Sequence, residues 1–490
     1  MLLDPSTPVL VGAAAVQQRD DEYTAAREPV ALMTAAAERA AVDAGARALL
    51  DRVSSIRIPR GFWDYPDPGR IVAERLGIAH PHTQVTEIGV LQTTLFGLAA
   101  DSIARGEDDV VLVCGAEARH RARQATRAGV VASMTSQGDV APDSVLRPQH
   151  EIISDVEAGH GILMPVAHYA IMENSLRHAD GQSLAAHRAE VAALWASFSR
   201  VAAGNPDAWS RNAVAADAIA TPQGRNTMLA FPYTKLHNSQ WNVDQGAALL
   251  LCSVSTARAL GIEESRWIFP LAIADSNHMV PLSERAVMHR SPGFEQAGRV
   301  VLEHAETTID DVRHLELYSC FPVAVRAQAR ALRVSADRAL TVTGGMAFAG
   351  GPLNNFVLQA MAKMTSVLRA DPGARGLVTA VSGMLTKQGV SLLSTRPPAR
   401  PFRFFDVSDE ARRATERVPA SGTYSGPATV ASYTVVHEVD GTRRGVLVCD
   451  TPDGTRAVTS TGDDALTDSM EREEWCGRPV RILADGVAPV

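Results

Sequence analysis

The chain has 490 residues, of which 46% are hydrophobic and 21% charged, and its formal net charge is −8. This length predicts two or three domains, and the acidic balance argues against nucleic acid or an acidic membrane as the main partner. The five cysteines are scattered without a CxxC pair, so we expect no metal site, no disulfide framework and a cytoplasmic location. The first residues lack a signal-peptide pattern, and no segment has the apolar length of a membrane span.

Strand and helix patterns alternate along the first part of the chain. Short apolar runs at 9–13, 54–58 and 109–115 predict strands, and the segments 29–45 and 93–106 predict helices. A short, continuous apolar run is typical of a strand that is buried on both faces. This part therefore predicts an α/β layer.

Residues 117–232 are polar and rich in His and Arg, which indicates an insertion over the sheet. Strand character returns at 247–254, and a second series of elements follows. Its strands are predicted at 267–274, 314–318, 376–381 and 390–394, its helices at 322–332 and 351–368, and one more strand where 337–343 ends. The repeated alternation predicts a duplicated α/β unit.

The clearest linker is 395–401, which contains three prolines. Four short strand patterns follow, at 429–437, 444–450, 456–460 and 479–483, and Asp-Gly pairs mark tight turns between them. This tail resembles a small β-barrel or OB-like module. We predict three parts: residues 1–255 with a loop domain at about 118–232, residues 256–396, and an additional β domain at 405–490.

Four motifs occur in an order and spacing that together are informative. They are Gly-Glu-Asp-Asp-Val-Val-Leu-Val-Cys-Gly-Ala-Glu at 106–117, His-Asn-Ser-Gln-Trp-Asn-Val-Asp-Gln-Gly-Ala-Ala at 237–248, Glu-Leu-Tyr-Ser-Cys-Phe at 316–321, and the glycine-rich turn Thr-Gly-Gly-Met-Ala-Phe-Ala-Gly-Gly-Pro at 343–352. From about Pro8 to Ser394 the pattern resembles the thiolase superfamily. The tail and the segments 318–322 and 350–356 are similar to thiolase-like proteins (type 1) with an additional C-terminal domain, which are described by similarity as acetyl-CoA acetyltransferases.

The resemblance implies an α/β thiolase fold with two βαβαβαββ halves in αβαβα layers, and a loop domain that covers CoA. It also implies a CoA or acyl-CoA thioester as substrate or ligand, with no other cofactor and no metal. Thiolases use a nucleophilic Cys, a second Cys, a Gly-His-Pro histidine and an oxyanion-hole Asn. This chain has Gly89 at the first position, Ser382 near the second, and Gly351 and Tyr318 at the others. We therefore expect a protein of acyl-CoA and lipid metabolism with a degenerate active site and no thiolase activity.

The candidate catalytic residues are polar or thiol groups near these motifs, namely Cys320, Tyr318, Ser319, His237 and Ser382. Each has a structural alternative: Cys320 as a small buried residue, Tyr318 as a packing residue, and His237 as a surface-loop histidine. The candidate ligand-binding residues are Asn238, Ser239, Gly350, Gly351 and Asn354. The glycine turn offers free N–H groups to an oxyanion, or it simply permits a tight turn before a helix.

Lys387 would be a base if it were buried, although a solvated loop lysine is the default prediction. The four histidines of the insertion have spacings that suit no single metal-binding face; they are His160, His168, His178 and His187.

Three functions are open. The first is an enzyme that acts on acyl-CoA without an acyl-Cys, such as a retro-aldol or hydrolytic lyase. The second is a non-catalytic acyl-CoA-binding scaffold. The third is a tail that binds a partner, with nucleic acid disfavoured because the tail is acidic. A homodimer and a monomer are both compatible with the sequence, and the tail is a lid or a partner surface.

Overall fold

A computed structural model describes residues 3–484 and 486–490 of the chain. The first two residues, on which part of the signal-peptide prediction depends, lie outside this range. The strands up to the middle of the chain are β1 (Pro8–Gln18), β2 (Val53–Pro59), β3 (His82–Thr86), β4 (Val110–Ala118), β5 (Ser144–Leu146), β6 (Met228–Ala230), β7 (Tyr233–Thr234) and β8 (Asp244–Ser253). The helices are α1 (Pro29–Ala44), α2 (Pro68–Leu76), α3 (Gln92–Ala104), α4 (Arg119–Arg127), α5 (Asp155–Gly159), α6 (Pro165–Ala179), α7 (Leu184–Gly204), α8 (Ala216–Ala220) and α9 (Val254–Ala259).

The remaining strands are β9 (Phe269–Ser276), β10 (His314–Glu316), β11 (Arg375–Ser382), β12 (Lys387–Ser394), β13 (Phe404–Asp406), β14 (Ala420–Ser421), β15 (Gly426–His437), β16 (Arg443–Asp450), β17 (Arg456–Thr461), β18 (Pro479–Leu483) and β19 (Gly486–Pro489). The remaining helices are α10 (Pro292–His304), α11 (Pro322–Ala331), α12 (Phe356–Ala370), α13 (Ser408–Ala414) and α14 (Asp464–Arg472). No helix of the described residues is long and apolar enough to cross a membrane.

Two mixed sheets carry the duplicated architecture. The first has the order β1-β8-β4-β2-β3-β5 and the second has the order β10-β11-β12-β9-β13. In each sheet the first strand of the half pairs antiparallel with its last strand, as β1 does with β8 and β9 with β12. Helix α3 packs on strands of both sheets, and α12 packs on β8 and β11, so these two helices lie between the sheets. The predicted two-half thiolase fold is confirmed.

The strand predicted at the end of 337–343 is not formed. The Leu317 N–H donates to the Leu340 carbonyl oxygen (3.0 Å), so the segment runs beside β10. The Glu316 carboxylate then accepts the backbone N–H groups of Val342 (2.7 Å) and Thr343 (2.8 Å). A buried side chain thus takes two donors that a neighbouring strand would otherwise use.

The additional C-terminal region is rich in strands, as predicted, but its sheet is open. The order is β14-β17-β16-β15-β18-β19, and β6 of the loop segment pairs with β15. Within residues 3–484 and 486–490 no pairing joins β14 to β19, so the prediction of a closed barrel was too specific. The short strand β13, just after the predicted linker, pairs with β9 of the second sheet.

The C-terminal sheet is fixed to helix α6 of the loop segment by buried side chains. Asn174 is fully buried, and its amide donates to the carbonyl oxygens of Phe231 (3.1 Å) and Tyr433 (2.8 Å). The Arg177 guanidinium donates to the Asn174 amide oxygen (2.6 Å), and Ser432 donates to the Ile171 carbonyl (2.6 Å). Polar groups buried in this way specify how the two parts dock, because each would lose a partner if they separated.

We predict that Asn174→Ala lowers the free energy of unfolding by about 2 kcal/mol, because it leaves buried carbonyl and guanidinium groups without partners. Urea unfolding followed by tryptophan fluorescence measures this value. Asn212→Ala, at an exposed position of the same loop segment, is the matched control and should change stability by less than about 0.5 kcal/mol. Equal effects of the two variants would contradict the docking role of Asn174.

Candidate functional site

The N-terminal end of α3 is where the resemblance places the thiolase nucleophile. Gly89 lies in the turn before this helix with φ of 104°, a conformation that side-chain-bearing residues rarely adopt. A Cβ atom built there would come within 3.1 Å of the Pro148 ring and 3.6 Å of Ile152. The position is therefore shaped for glycine, and the irregular segment between β5 and α5 lies over it.

Lys387 binds the backbone of this turn. It is the first residue of β12, it is 1% exposed, and its Nζ donates to the Gly89 carbonyl oxygen at 3.0 Å. No carboxylate within the described ranges forms an ion pair with it, and burial lowers the pKa of its ammonium. The prediction of a solvated loop lysine was wrong, because Lys387 already belongs to strand β12 and its side chain is buried in the protein.

The hairpin turn that leads to Lys387 is strained. Its residues Gly383, Met384 and Leu385 have φ values of 59°, 50° and 70°. Two of them carry side chains, and the left-handed backbone of each such residue destabilises the fold by on the order of 1–3 kcal/mol. Arg285 holds the turn by donating to the Met384 carbonyl (2.7 Å), and Gln388 holds it by donating to the Leu385 carbonyl (2.5 Å). The surrounding structure thus stabilises a turn that fixes the direction of the Lys387 side chain.

Gln92, the first residue of α3, joins the two halves. Its amide donates to the Asn354 Oδ1 (3.1 Å), and its Oε1 accepts the Val357 N–H (2.7 Å) at the start of α12. The Asn354 Nδ2 is buried without a partner, as are both amide atoms of Asn355, among the described residues. Unpartnered buried amides at a helix start are the kind of group that a bound ligand satisfies.

Several N–H groups of the glycine-rich turn at 343–352 have acceptors within the protein. The N–H groups of Gly344, Gly345 and Met346 donate to the hydroxyls of Thr341, Thr343 and Ser319, in that order. The Gly351 N–H donates to the Gln240 carbonyl at 2.9 Å. These hydrogen bonds stabilise the turn itself, so the alternative of a tight turn before a helix describes this segment better.

Gly350 and Gly351 are both crowded. A Cβ on Gly350 would lie 2.1 Å from the Gln245 Oε1, and one on Gly351 would lie 3.1 Å from the Ser239 Cβ and 3.2 Å from the Met346 Cε. A side chain at position 351 would therefore displace Met346. The space beside this turn is already filled by the chain itself.

The motif 318–320 is buried among aromatic rings. Phe321 stacks on Tyr169 at a centroid distance of 4.4 Å, and burial raises the pKa of the Cys320 thiol to about 12. Burial also raises the pKa of the Tyr318 phenol well above its usual range. Ser319 is fully buried and accepts the Met346 N–H. These groups are neutral at pH 7, and none of them is a ready base or nucleophile.

The loop before β8 is held by its own side chains. His237 is 2% exposed and its Nδ1 accepts the Thr234 N–H at 3.1 Å, so the surface-loop alternative for this histidine was wrong. Burial lowers the pKa of His237 to about 4. Asn238 donates to the Thr234 carbonyl (2.7 Å) and Ser239 donates to the Cys320 carbonyl (3.0 Å).

Ser382 ends β11 directly opposite Lys387 in the antiparallel register. It is half-buried, and its hydroxyl has no hydrogen-bond partner in the described part of the chain. The structure therefore brings Ser382 opposite Lys387 and Asn354 against Gln92 at the start of α3. Cys320, Tyr318 and Ser319 lie in a packed aromatic layer that reaches Phe356 at the start of α12, and Ser239 links this layer to the loop that holds His237.

Glu117 ends the first motif in a second polar cluster. It is 1% exposed, its Oε1 accepts the Phe62 N–H (2.8 Å), and burial raises its pKa to about 7. Arg119 lies between two half-exposed rings, 4.8 Å from the Phe62 centroid and 5.0 Å from the Trp241 centroid. This cluster flanks the loop at 237–242.

The histidines of the loop segment have separate environments, as their spacing indicated. His187 contacts Glu173 at 2.9 Å and His160 contacts the Gly422 carbonyl at 3.0 Å. His178 comes close to Glu474 and Cys476 of the C-terminal region. The Arg177 guanidinium already pairs with Glu474 at 2.6 Å, which compensates the charge that would otherwise attract a cation.

Comparisons with known proteins show which families and folds this chain is similar to. A family model described as "Thiolase-like protein type 1 additional C-terminal domain" matches residues 409–487. No curated protein matches the sequence. A crystal structure of a monomeric SCP2-thiolase-like protein type 1 from Mycobacterium smegmatis is 27% identical, with a TM-score of 0.83 and coverage of 100% of both chains.

Two more distant structures share the fold. The Ltp2-ChsH2(DUF35) aldolase is 18% identical with a TM-score of 0.61, and the match covers 80% of this chain and 99% of that one. Acetyl-CoA acetyltransferase from Syntrophomonas wolfei is 17% identical with a TM-score of 0.55, over 80% of this chain and 100% of that one.

We predict that Gly89→Cys destabilises the protein by about 1–3 kcal/mol, because the new side chain meets Pro148 in a left-handed backbone conformation. Urea unfolding measures the loss. Gly138→Cys is the control, because a Cβ there meets nothing within 4 Å and the position is exposed. If Gly89→Cys were as stable as the control, the shape argument for glycine at this turn would be wrong.

A second prediction concerns the pH dependence of stability. The pKa of Glu117 is raised in the folded state, so the folded protein holds a proton that the unfolded chain releases between about pH 4.5 and pH 7. Its contribution to the free energy of unfolding therefore falls as pH rises through this window. Glu117→Gln removes this titration. The free energy of unfolding of the variant should therefore increase, relative to that of wild type, by up to about 3 kcal/mol between about pH 5 and pH 8.

Urea unfolding of both proteins at the two pH values measures this difference. Glu38→Gln, at an exposed position of α1, is the matched control for the loss of one carboxylate. A Glu117→Gln effect that is the same at both pH values would contradict the raised pKa.

Proposed function

Because this chain is a thiolase-like protein of the thiolase superfamily, we propose that it binds a CoA thioester without catalysing the thiolase reaction. Its bound acyl group would lie at the N-terminal end of α3, between the two halves. The proposal places the protein in acyl-CoA and lipid metabolism in the cytoplasm. It needs no metal and no cofactor other than CoA or acyl-CoA itself.

The observation that carries this proposal is the buried Lys387. An ammonium offers three N–H donors, and only the Gly89 carbonyl accepts one of them within the described residues. Asn354, which accepts from Gln92 at the start of α3, has a further donor, its Nδ2, without a partner among the described residues. A buried group of donors that lacks acceptors is suited to an oxygen-rich ligand group, and a thioester carbonyl is such a group.

The water-excluded position strengthens this interaction. Hydrogen bonds from a charged donor are roughly twice as strong as neutral ones, and a low local dielectric increases them further. The carbonyl oxygen of an acyl-CoA, or the negative charge that develops on it when an enolate forms, would compensate the Lys387 charge. The protein would then be more stable with its ligand than without it.

Three features support the absence of thiolase chemistry. Gly89 has no thiol, and a Cβ atom there would come within 3.1 Å of the Pro148 ring in a backbone conformation that favours glycine. Met346 fills the space beside Gly351, where thiolases have a histidine. The Cys320 thiol is held neutral by burial and lies in the packed aromatic layer. Acyl transfer to cysteine needs a thiolate and an adjacent base, and these residues supply neither.

A second candidate is a retro-aldol lyase that acts on an acyl-CoA. Carbon–carbon cleavage next to a carbonyl needs an electron acceptor rather than a thiolate, and the Lys387 ammonium is placed to be one. One protein of the same fold is described as an aldolase. The fused C-terminal domain, which docks through Asn174 on the loop segment, would be a lid or a partner surface in this case.

We predict that the full chain binds acetyl-CoA with a Kd of about micromolar by isothermal calorimetry, and that Lys387→Met weakens this binding by about tenfold or more. Binding of free CoA, which has no acyl carbonyl, should change by less than about twofold. Lys235→Met, at an exposed site, is the control. Neither the wild-type protein nor Lys387→Met should catalyse thiolysis of acetoacetyl-CoA in an absorbance assay.

The proposal is contradicted if wild-type protein binds neither CoA nor acetyl-CoA at millimolar ligand. Thiolysis by wild type at the rate of a thiolase would contradict the claim of altered chemistry. If Lys387→Met weakened binding of CoA and acetyl-CoA equally, the lysine would not contact the acyl carbonyl.

A further inference from the structure

The chain contains only three lysines, Lys235, Lys363 and Lys387, although it has 47 basic residues in total. Arginine supplies nearly all of its positive charge. Lys235 is exposed and Lys363 is half-buried on α12, as expected for a solvated side chain. Lys387 alone is buried, and it lies in the layer between the two halves.

A cation that only balanced charge or filled space would not need to be lysine. Arginine is the better residue for a buried ion pair, because its charge is delocalised and its five donors are preorganised. Lysine differs chemically in one respect: its amine becomes a nucleophile when it loses a proton. Burial favours that loss, as the lowered pKa of Lys387 indicates.

The surroundings of Lys387 resemble an organised site rather than a packing defect. The strained turn at Gly383–Leu385 sets its direction, and such strain is concentrated at functional sites. Ser382 lies opposite it in register, and its hydroxyl, which has no hydrogen-bond partner among the described residues, is available for proton transfer. Asn354 contacts Gln92 at the start of α3 and has an amide donor that is unpartnered within the described ranges.

We propose that the Lys387 amine forms an iminium with the ketone carbonyl of a 3-oxoacyl thioester, which makes this an amine-based carbonyl site. The inference rests on the proposed function, because the thioester must bind first. It names a ketone at the third acyl carbon as the chemical class of the substrate. Pro148 and Ile152, which lie over Gly89, would move aside to admit the acyl chain.

The chemistry balances without another reagent. The neutral Lys387 nitrogen attacks the ketone carbon, a C–N bond forms, and the carbonyl electron pair goes to oxygen. Protonation of that oxygen and loss of a proton from the nitrogen give a carbinolamine; the same proton, returned to the hydroxyl, lets it leave as water while the nitrogen lone pair forms the C=N bond. The net change is amine plus ketone plus proton to iminium plus water, and the iminium is a strong electron acceptor for bond changes at the adjacent carbon.

Reductive trapping tests the proposal on the full chain. The protein is incubated with acetoacetyl-CoA and cyanoborohydride, which reduces an iminium to a stable secondary amine, and is then digested with trypsin. An unmodified chain is cut after Arg375 and after Lys387. Trypsin does not cut after an alkylated lysine, and Arg396 and Arg400 are each followed by proline, so a modified chain gives one peptide, 376–403, with the added mass.

We expect about tenfold or more adduct at Lys387 than at Lys235 and Lys363, because only Lys387 is both buried and placed beside the α3 turn. Butyryl-CoA, which has no ketone, should give no adduct. Lys387→Arg keeps the positive charge without a nucleophilic amine, and it should give no adduct at position 387 with acetoacetyl-CoA. Calorimetry on the same samples reports binding independently of trapping.

The outcomes separate the two claims. Binding of acetoacetyl-CoA without a Lys387 adduct overturns the iminium and leaves the proposed function intact. Adducts at Lys235 and Lys363 only, or equally at all three lysines, also overturn it. No binding of acetoacetyl-CoA or butyryl-CoA overturns the proposed function and the iminium together.

Discussion

A lysine ammonium removed from water loses several kcal/mol of solvation unless other groups replace it. Among the residues that the structure describes, Lys387 has one acceptor, the Gly89 carbonyl, and that bond crosses from the second half of the molecule to the first. This loss of solvation destabilises the start of β12, which follows a strained turn. A structure that kept this charge for stability alone would pair it with a carboxylate, so the arrangement is better explained by a ligand that completes it.

The duplicated halves explain why the site lies where it does. Helices α3 and α12 occupy the same layer between the two sheets, and both begin at the interface between the halves. Gln92 connects these two beginnings through Asn354 and the Val357 N–H. Helix beginnings carry unsatisfied N–H groups and a partial positive charge. Together with Lys387 they give the interface a donor-rich character that suits an oxygen ligand.

The sequence predicted the fold well, because strand and helix periodicity and the order of four motifs depend on local pattern. It predicted the side-chain environments poorly, because burial depends on residues far away in the chain. His237 looked like a surface histidine, yet Thr234 and the aromatic layer enclose it. Lys387 follows a turn and looked solvated, and only the packing of α3 against β12 shows that it is buried.

Two further differences have the same physical origin. The N–H groups of the glycine-rich turn looked free, but the hydroxyls of Thr341, Thr343 and Ser319 accept three of them. The strand expected at the end of 337–343 does not form, because the Glu316 carboxylate accepts backbone N–H groups that a neighbouring strand would otherwise bind. Burial raises the pKa of Glu316 to about 7. In both cases a side chain replaces the backbone partner, and strand propensity carries no information about such a competitor.

The most direct test of the central claim is a pH titration of the three lysine side chains by NMR, using protein labelled at the lysine ε-carbon. The account predicts that the Lys387 signal titrates below the usual lysine pKa of about 10.4, and that only this signal shifts when acetyl-CoA is added. Lys387→Met assigns the signal by its absence. A Lys387 signal that titrates at or above the usual lysine pKa and does not respond to acetyl-CoA would contradict the account.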